Sequence, residues 1–418
     1  PVLSEVTCMT LYEEALYITE RSIAAVLPDA AVRRALEGRD FSGGRLLLIA
    51  AGKAAWRMAK TAVEALDGRV DGGVVITKYG HVMGDIPGLI CCEGGHPLPD
   101  ENGFRGTRLA MEAVRRLGAE DHVLFLLSGG GSALFECPLL PEAELVDITS
   151  QLLTRGADIV EINTIRKRLS AVKGGRFAQL CGPARVYSVI LSDVLGGRAD
   201  MIASGPCCAD PSTCAQALEI AERYGLELSE LARRLLETET PKLLENSELA
   251  VTGSVGELCL AAEAACSQLG YESMVLTDSL ACEAREAGAL LAGMARYWSG
   301  RGRKLALVAG GETVVHVKGP GLGGRNQELA LAAAQGLAGL RGAAVFSFGS
   351  DGTDGPTDAA GGFADGGTKA RLESSGRTLR QWLDANDSYH ALDLSGGLIK
   401  TGPRGTNVND AAVVLIDG

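Results

Sequence analysis

The chain is punctuated by short, continuous apolar runs, nearly all of which stop at a glycine, serine or aspartate. They are residues 45–51 (RLLLIAA), 72–77 (GGVVIT), 122–127 (HVLFLL), 185–191 (RVYSVIL), 304–309 (KLALVA), 344–349 (AVFSFG) and 411–416 (AAVVLI). A strand with one wet face alternates apolar and polar residues. A run without alternation is covered on both faces, as in a sheet packed between helices. Helical spacing fills many of the gaps, at 10–37, 54–66, 103–117, 142–155, 215–224, 229–237, 261–270, 282–298 and 329–337. The pattern therefore predicts an α/β protein. At 418 residues the chain exceeds one usual domain, and the α/β alternation restarts after residue 249. Two domains are expected, 1–245 and 246–418, with residues 238–249 around Pro241 as the linker. The 55 glycines suit many tight strand–helix turns, and 5% aromatic content does not suit a β-sandwich.

A net charge of −12 argues against nucleic acid as a partner, while leaving room for a local basic cleft that takes an anionic substrate. The eleven cysteines include no CxxC pair and no metal-ligand spacing, which points to reduced, buried thiols in a cytoplasmic protein. There is no basic-then-apolar leader pattern and no run of 18 apolar residues, so no membrane segment is expected.

Chemistry concentrates in the loops. An alternating stretch at 313–318 (TVVHVK) reads as a strand, and Gly319-Pro-Gly-Leu-Gly-Gly-Arg-Asn-Gln-Glu328 joins it to the helix that follows. Glycines there let backbone N–H groups approach an anion, a helix N-terminus favours negative charge, and Arg325 offers a two-pronged donor. The spacing Gly319-x-Gly321-x-x-Gly324 formally matches a dinucleotide fingerprint. The acidic residue that should end the next strand is missing, because the first candidate, Asp351, lies too far on. Gly52-Lys53 ends the first strand and opens a helix. It is not a P-loop, since Leu47 and Ala54 replace the required glycine and hydroxyl residue. Lys53 still sits where ligands of open α/β sheets bind.

Ser128-Gly129-Gly130-Gly131-Ser132 directly follows a strand and is a candidate phosphate cradle; a tight turn is the plain alternative. Residues 161–175 gather Asn163, Arg166, Lys167, Arg168, Ser170 and Lys173 in an otherwise acidic chain. His96 lies in a loop between glycine and proline. Asp193, just past a strand end, and the aspartates of 350–358 could hold a hard cation, and Asp193 could instead accept a proton or cap a turn.

Read together, Ala50-Ala-Gly-Lys-Ala54, His96-Pro-Leu-Pro-Asp100, Leu127-Ser-Gly-Gly-Gly-Ser-Ala133, Asn163-Thr-Ile-Arg-Lys167 with Lys173-Gly-Gly175, Leu191-Ser-Asp-Val194, Ser204-Gly-Pro206, Gly310-Gly-Glu-Thr313, Gly324-Arg-Asn-Gln-Glu328 and Ser350-Asp-Gly-Thr-Asp-Gly-Pro356 resemble the class II glycerate kinase family, whose C-terminal part is called MOFRL. These stretches span nearly the whole chain in the family's order. The resemblance implies two three-layer α/β/α domains, the first Rossmann-like with a mainly parallel sheet and the second with a mixed sheet, and an active site in the cleft between them. It implies transfer of the γ-phosphoryl group of ATP to D-glycerate, giving 2-phospho-D-glycerate, with Lys53 and Arg325 central to catalysis.

Within that reading, Ser128, Gly129, Gly130, Gly131, Ser132, Lys173, Gly253, Gly321, Gly323 and Gly324 are assigned to ATP. His96, Asn163, Lys167, Asn326 and Glu328 are assigned to glycerate. Asp193, Glu312 and Asp351 are assigned to Mg2+, with Asp193 also offered as proton acceptor. The partners are small molecules, with no nucleic acid or membrane and with a homodimer left open. Two rivals are an NAD(P)H-dependent hydroxypyruvate reductase and a non-catalytic binding protein. The first lacks the acidic residue of its fingerprint, and the second would be expected to lose charged loop residues that are present here.

Overall fold

A computed structural model describes residues 9–191, 199–402, 404, 406 and 408–418. The chain forms two compact units, one of residues 28–252 and the other of residues up to 27 together with 253–418.

The 28–252 unit is built on β1 (Leu46–Ala51), β2 (Gly72–Lys78), β3 (Leu89–Gly94), β4 (His122–Leu127), β5 (Arg185–Leu191) and β6 (Ser247–Thr252). They lie in the order β3-β2-β1-β4-β5-β6, and every pair is parallel. This is the Rossmann-like order anticipated above. β1 and β4 are buried along their whole length, which is why their sequences show no alternation. The chain runs outward from β1 to β3 and then returns to β1's other side for β4. Its topological switch point therefore falls between β1 and β4, at whose carboxyl ends such sheets bind ligands. Phe125 of β4 packs on Phe135 and Phe177 with ring centroids 5.3 and 5.2 Å away, anchoring the chain that leaves β4. A second apolar cluster, including Leu145, Ile148, Leu152, Ile165, Leu169 and Leu236, unites helices Glu142–Thr154, Ile159–Leu169, Cys214–Arg223 and Glu230–Leu236.

The other unit contains β7 (Glu272–Leu280), β8 (Leu305–Gly311), β9 (Ala343–Gly349), β10 (Gly361–Asp365), β11 (Leu398–Ile399) and β12 (Asp410–Ile416), in the order β11-β10-β9-β12-β8-β7. β7 is parallel to β8 and the other pairs are antiparallel, so the sheet is mixed. β10 and β11 escape a reading of apolar runs because both are short and β10 opens on two glycines. A Cβ at Gly361 would stand 1.9 Å from the Ser347 carbonyl oxygen, so the close approach of β10 to β9 requires glycine there.

Three expectations need correction. Residues 238–249 are no linker, because β6 pairs with β5 and Thr240 is buried, donating to Asp210 at 2.7 Å. Residues 246–252 accordingly belong to the first sheet. The first helix, Leu11–Ala25, belongs with the second unit: it packs on helix Val255–Gln268, and its Glu14 accepts a hydrogen bond from the Tyr271 hydroxyl at 2.5 Å. Helical periodicity reveals an apolar face but not which sheet that face covers. Residues 313–318 form no strand, since both edges of β8 are already taken by β7 and β12. The segment makes a single bridge, Val314 to Glu283, and leaves Val314 and Val317 exposed. Among the described residues no helix is long and apolar enough to cross a membrane.

The 28–252 unit hides a charged knot. Asp210 is buried and pairs with Lys167 at 3.1 Å and Arg168 at 3.7 Å, both also buried. Burial opposes its ionisation, but the Thr240 hydroxyl and the Lys167 charge hold its carboxyl below the usual range. Asp210→Ala would strip two buried cations of their one fully buried carboxylate, leaving Lys167 with Asp200 and Arg168 with the half-exposed Glu239, at a cost of about 3 kcal/mol. Faster native-state hydrogen exchange in β4 and β5, with β8 and β9 unchanged, is the expected readout.

Candidate active site

The carboxyl ends of β1 to β4 assemble one cluster. After β1 the backbone turns at Gly52 (φ +121°), where a Cβ would lie 2.3 Å from Ser128 Oγ. That close approach lets Lys53 N–H donate to the Gly129 carbonyl at 2.9 Å and Ala54 N–H donate to Ser128 Oγ at 3.0 Å. Past β2, His81 Nδ1 donates to the Lys53 carbonyl at 3.0 Å. Glu93, on β3, accepts from the N–H groups of His81 and Val82, both at 3.0 Å. His96 follows β3. A Cβ at Gly130 (φ +86°) would be 3.1 Å from both His96 Nε2 and Lys53 Cγ, which shows how closely these three residues converge.

The cluster is electropositive. Burial, then the charges of Lys53, Lys78 and His81, lower the pKa of His96, so its imidazole is neutral at pH 7. Among the described residues no carboxylate pairs with Lys53 or Lys78, and the N–H groups of Gly129 and Gly130 meet no acceptor. Spare donors and unbalanced positive charge suit an anion such as a phosphate or carboxylate. Lys78 and His81 went unassigned in the sequence, although both lie just past the end of β2, as Lys53 does past β1.

Other residues expected here are turned inward. Lys167 pairs with Asp200 and Asp210, and Asn163 accepts from Ser204 Oγ at 2.6 Å. Lys173 is fully buried, and its three donors go to the carbonyls of Ser132, Phe135 and Ala203. Lys173 thus has no donor left for a ligand, and the Lys167 charge is already met by two carboxylates. Asp193 lies outside the described residues. A separate cavity of about 340 Å³ between helices Ile159–Leu169 and Cys214–Arg223 contains no member of the cluster, and its Glu161 and Glu219 both pair with Arg223.

In the other unit Arg325 is the first residue of helix Arg325–Leu337. Its guanidinium makes a two-pronged contact with Asp410 of β12, at 2.5 and 3.1 Å, and Nη1 lies 3.3 Å from Glu312. Burial disfavours its charge, but Asp410 and Glu312 more than compensate and hold it firmly protonated. The helix N-terminus is not an open anion site. Asp354 fills it, accepting from Asn326 N–H at 3.1 Å and Gln327 N–H at 2.8 Å. Asp410 carried no assignment from the sequence, and Asp354 was offered only among the aspartates of 350–358 for a hard cation; their placement beside Arg325 is what marks them.

The glycines before this helix serve close packing. Cβ atoms at Gly321, Gly323 and Gly324 would collide with Ala385, Ser388 and Asp354, at 2.5, 2.0 and 2.3 Å. Gly319 and Leu322 N–H groups donate to the side chains of Asn386 and Asp387, and Gly321 N–H donates to the Ala385 carbonyl. The Gly319, Gly321 and Leu322 N–H groups are thus spent within the protein, while those of Gly323 and Gly324 meet no acceptor among the described residues. Asn326 is buried and bonded to Asp354 and Ser347; Glu328 is buried and held by Arg285 at 2.6 Å. Gly253 N–H donates to Glu257. Asp351 caps its own turn through Thr353 N–H. Among the described residues no three His, Cys, Asp or Glu side chains gather closely enough to hold a metal ion by themselves.

A family model described as a domain of unknown function (DUF4147) matches residues 14–237, and one described as the MOFRL family matches residues 305–410. The chain is 51% identical over 413 residues to a D-glycerate 2-kinase of Thermotoga maritima, covering 97% of this chain and 99% of that one. It belongs to the glycerate 2-kinase family. The crystal structure of the Thermotoga maritima glycerate kinase superposes with a TM-score of 0.93, again over 97% of this chain and 99% of that one. A putative hydroxypyruvate reductase of Agrobacterium vitis is more distant, at 39% identity over 96% of this chain and 93% of its own length.

Asp354 provides a test of the helix end. Burial raises its carboxyl to about 6, against the lowering effect of the Gln327 and Asn326 N–H groups. A carboxyl raised above its unfolded value stabilises the fold below that unfolded value, and this contribution is lost as pH rises through about 6. Asp354→Asn abolishes the titration. The unfolding free energy of the variant, relative to the unsubstituted chain, should therefore climb between about pH 4 and about pH 7. A flat difference across that range would show that Asp354 is not the titrating group.

Proposed function

We propose that the chain phosphorylates D-glycerate with ATP, releasing 2-phospho-D-glycerate and ADP. The observation that carries this is 51% identity to a D-glycerate 2-kinase over 97% of this chain and 99% of that one. Phosphoryl transfer asks a protein mainly to position reactants and to stabilise charge on the transferring group. Lys53 and Lys78 supply positive charge without an internal partner, and the Gly129 and Gly130 N–H groups supply donors. His96, neutral at working pH, can hydrogen-bond a hydroxyl or carboxylate without adding charge. Arg325 is the corresponding group of the mixed-sheet unit, presented by Asp410 and Glu312.

Magnesium accompanies this chemistry as a nucleotide counter-ion. It is commonly held by one or two carboxylates together with substrate phosphates, so a three-residue protein cage is not required. The surroundings of Arg325 fit a cation: Asp410 and Glu312 set two negative charges against one guanidinium. Glu312, half exposed, Asp351 and Asp193 are the carboxylates offered. Bound magnesium would neutralise phosphate charge, and Asp193 would take the hydroxyl proton. The setting proposed is the cytoplasm.

The reductase reading has weaker support. The glycines of its fingerprint are packed against Asp354 and residues 385–388, and no strand precedes them.

Incubation with Mg-ATP and D-glycerate, followed by phosphorus NMR, should reveal 2-phosphoglycerate. No phosphorylated product, or NADH oxidation by hydroxypyruvate in its place, would refute the proposal; 3-phosphoglycerate would overturn its regiochemistry. Lys53→Ala and Arg325→Ala should each lower kcat/KM by about 10²–10³ while the protein stays folded, as for other preorganised electrostatic donors. Near-normal turnover in either variant removes that residue from the mechanism.

A further inference from the structure

Lys173 is a fully buried lysine whose ammonium ties two segments together. Its Nζ donates to the carbonyls of Ser132 (3.1 Å) and Phe135 (3.2 Å) on one segment and of Ala203 (3.3 Å) on the other, with Glu136 3.5 Å away. Arg166 reinforces the first segment, donating to the same Ser132 carbonyl at 2.9 Å and reaching Glu136 at 3.4 Å. On the second segment Ala203 and Ser204 are both left-handed, with φ of +51° and +59°, which side chains other than glycine adopt only when surrounding contacts enforce it. The segment that Lys173 grips begins at Ser128 and Gly129, the residues that accept the Ala54 and Lys53 N–H groups. A continuous path of hydrogen bonds and chain thus runs from the buried ammonium to the backbone of Lys53.

We propose that Lys173 is a positioning residue for phosphoryl transfer, its protonated ammonium holding the loop of residues 128–135 in the form that fixes Lys53, so that loss of this proton turns the enzyme off. The proposal rests on the kinase reading above. A neutral amine offers two donors where three carbonyls wait, and it no longer balances Glu136. The charged groups facing Lys173 are Glu136, which follows the loop, and Arg166, on helix Ile159–Leu169. Burial lowers the pKa of Lys173 to about 8, opposed by Glu136 and assisted by Arg166. Because this value lies below the unfolded one, the folded chain binds fewer protons between the two. The stability this group contributes is complete above the unfolded value and is lost as pH falls through about 8. Activity and this contribution to stability therefore move in opposite directions with pH, which a merely structural lysine would not produce.

The experiment is kcat against pH at saturating Mg-ATP and D-glycerate, from about pH 6.5 to about pH 9.5, with melting curves at each point. Above about pH 8 the unsubstituted enzyme should lose about tenfold per pH unit without a matching fall in melting temperature. Lys173→Met should lower kcat at least about tenfold at neutral pH and flatten the alkaline limb. Lys173→Arg, whose charge does not titrate, should restore part of kcat and also lack the limb. An alkaline fall retained in both variants, or retained in Lys173→Met alone where the arginine is too large to fold, overturns the proposal. Should no pH give phosphorylated glycerate, the kinase reading fails on its own. The positioning claim is then read from hydrogen exchange at residues 129–135, and equal exchange in Lys173→Met and the unsubstituted chain would refute it.

Discussion

The hydrogen bond from Lys53 N–H to the Gly129 carbonyl, 2.9 Å long, fixes the geometry of the strand-end cluster. It exists because β1 and β4 are neighbours in register, with Ala51 beside Leu127, so both chains leave the sheet at the same level. Gly52 permits the approach, Ser128 caps Ala54, and His81 closes on the other side of Lys53 through the Lys53 carbonyl. A lysine at the start of a helix would ordinarily sweep a wide volume on its flexible stem. Here the backbone on both sides of it is bonded to neighbouring strand ends, which confines where that stem begins.

The two units treat charge in opposite ways. In the parallel-sheet unit, Lys53 and Lys78 at the strand ends have no carboxylate partner among the described residues, while the buried cations are paired: Lys173 and Arg166 share Glu136, Lys167 meets Asp200 and Asp210, and Arg168 meets Asp210 and Glu239. In the mixed-sheet unit the antiparallel β12 brings Asp410 between Gly311 and Gly349, and from there its carboxylate grips Arg325. Asp354 then supplies the anion that the helix N-terminus attracts. The first arrangement awaits an anion. The second has negative charge in excess and is suited to cations or to hydrogen-bond donors.

Much of this was legible in the residues. Buried parallel strands have a strong signature, because two covered faces forbid polar alternation, and β1, β2, β4, β5, β8, β9 and β12 all follow it. What failed had weak or shared signatures. β6 has an exposed edge, and its first residues read like the end of a linker. β10 is five residues long and opens on two glycines, and residues 313–318 alternate well but find no free edge to pair with. The helix of residues 11–25 is plainly amphipathic, yet amphipathicity is silent about the partner. Among the site residues, Lys53, His96, Ser128, Gly129 and Gly130 come together because the switch-point rule places strand-end loops side by side. The loop at 319–324 has glycines at similar spacing for a different reason, the close passage of residues 385–388 and Asp354, a contact about 30 to 70 positions away in sequence that no local pattern encodes.

The same ambiguity governs the basic stretch at 161–175, and its resolution is electrostatic. A cation meant for a ligand must remain short of internal acceptors, since each protein carboxylate or carbonyl it already satisfies must be given up before a phosphate gains anything. A cation meant to hold a fold needs the reverse, because burial without partners would cost several kcal/mol. Residue type and spacing are identical in the two cases. Only the count of acceptors around each nitrogen separates them, and acceptors such as Asp210 or the Ala203 carbonyl arrive from segments that sequence proximity does not flag. By that criterion Lys53 and Lys78 keep their charge available, and Lys167 and Lys173 are committed to the fold.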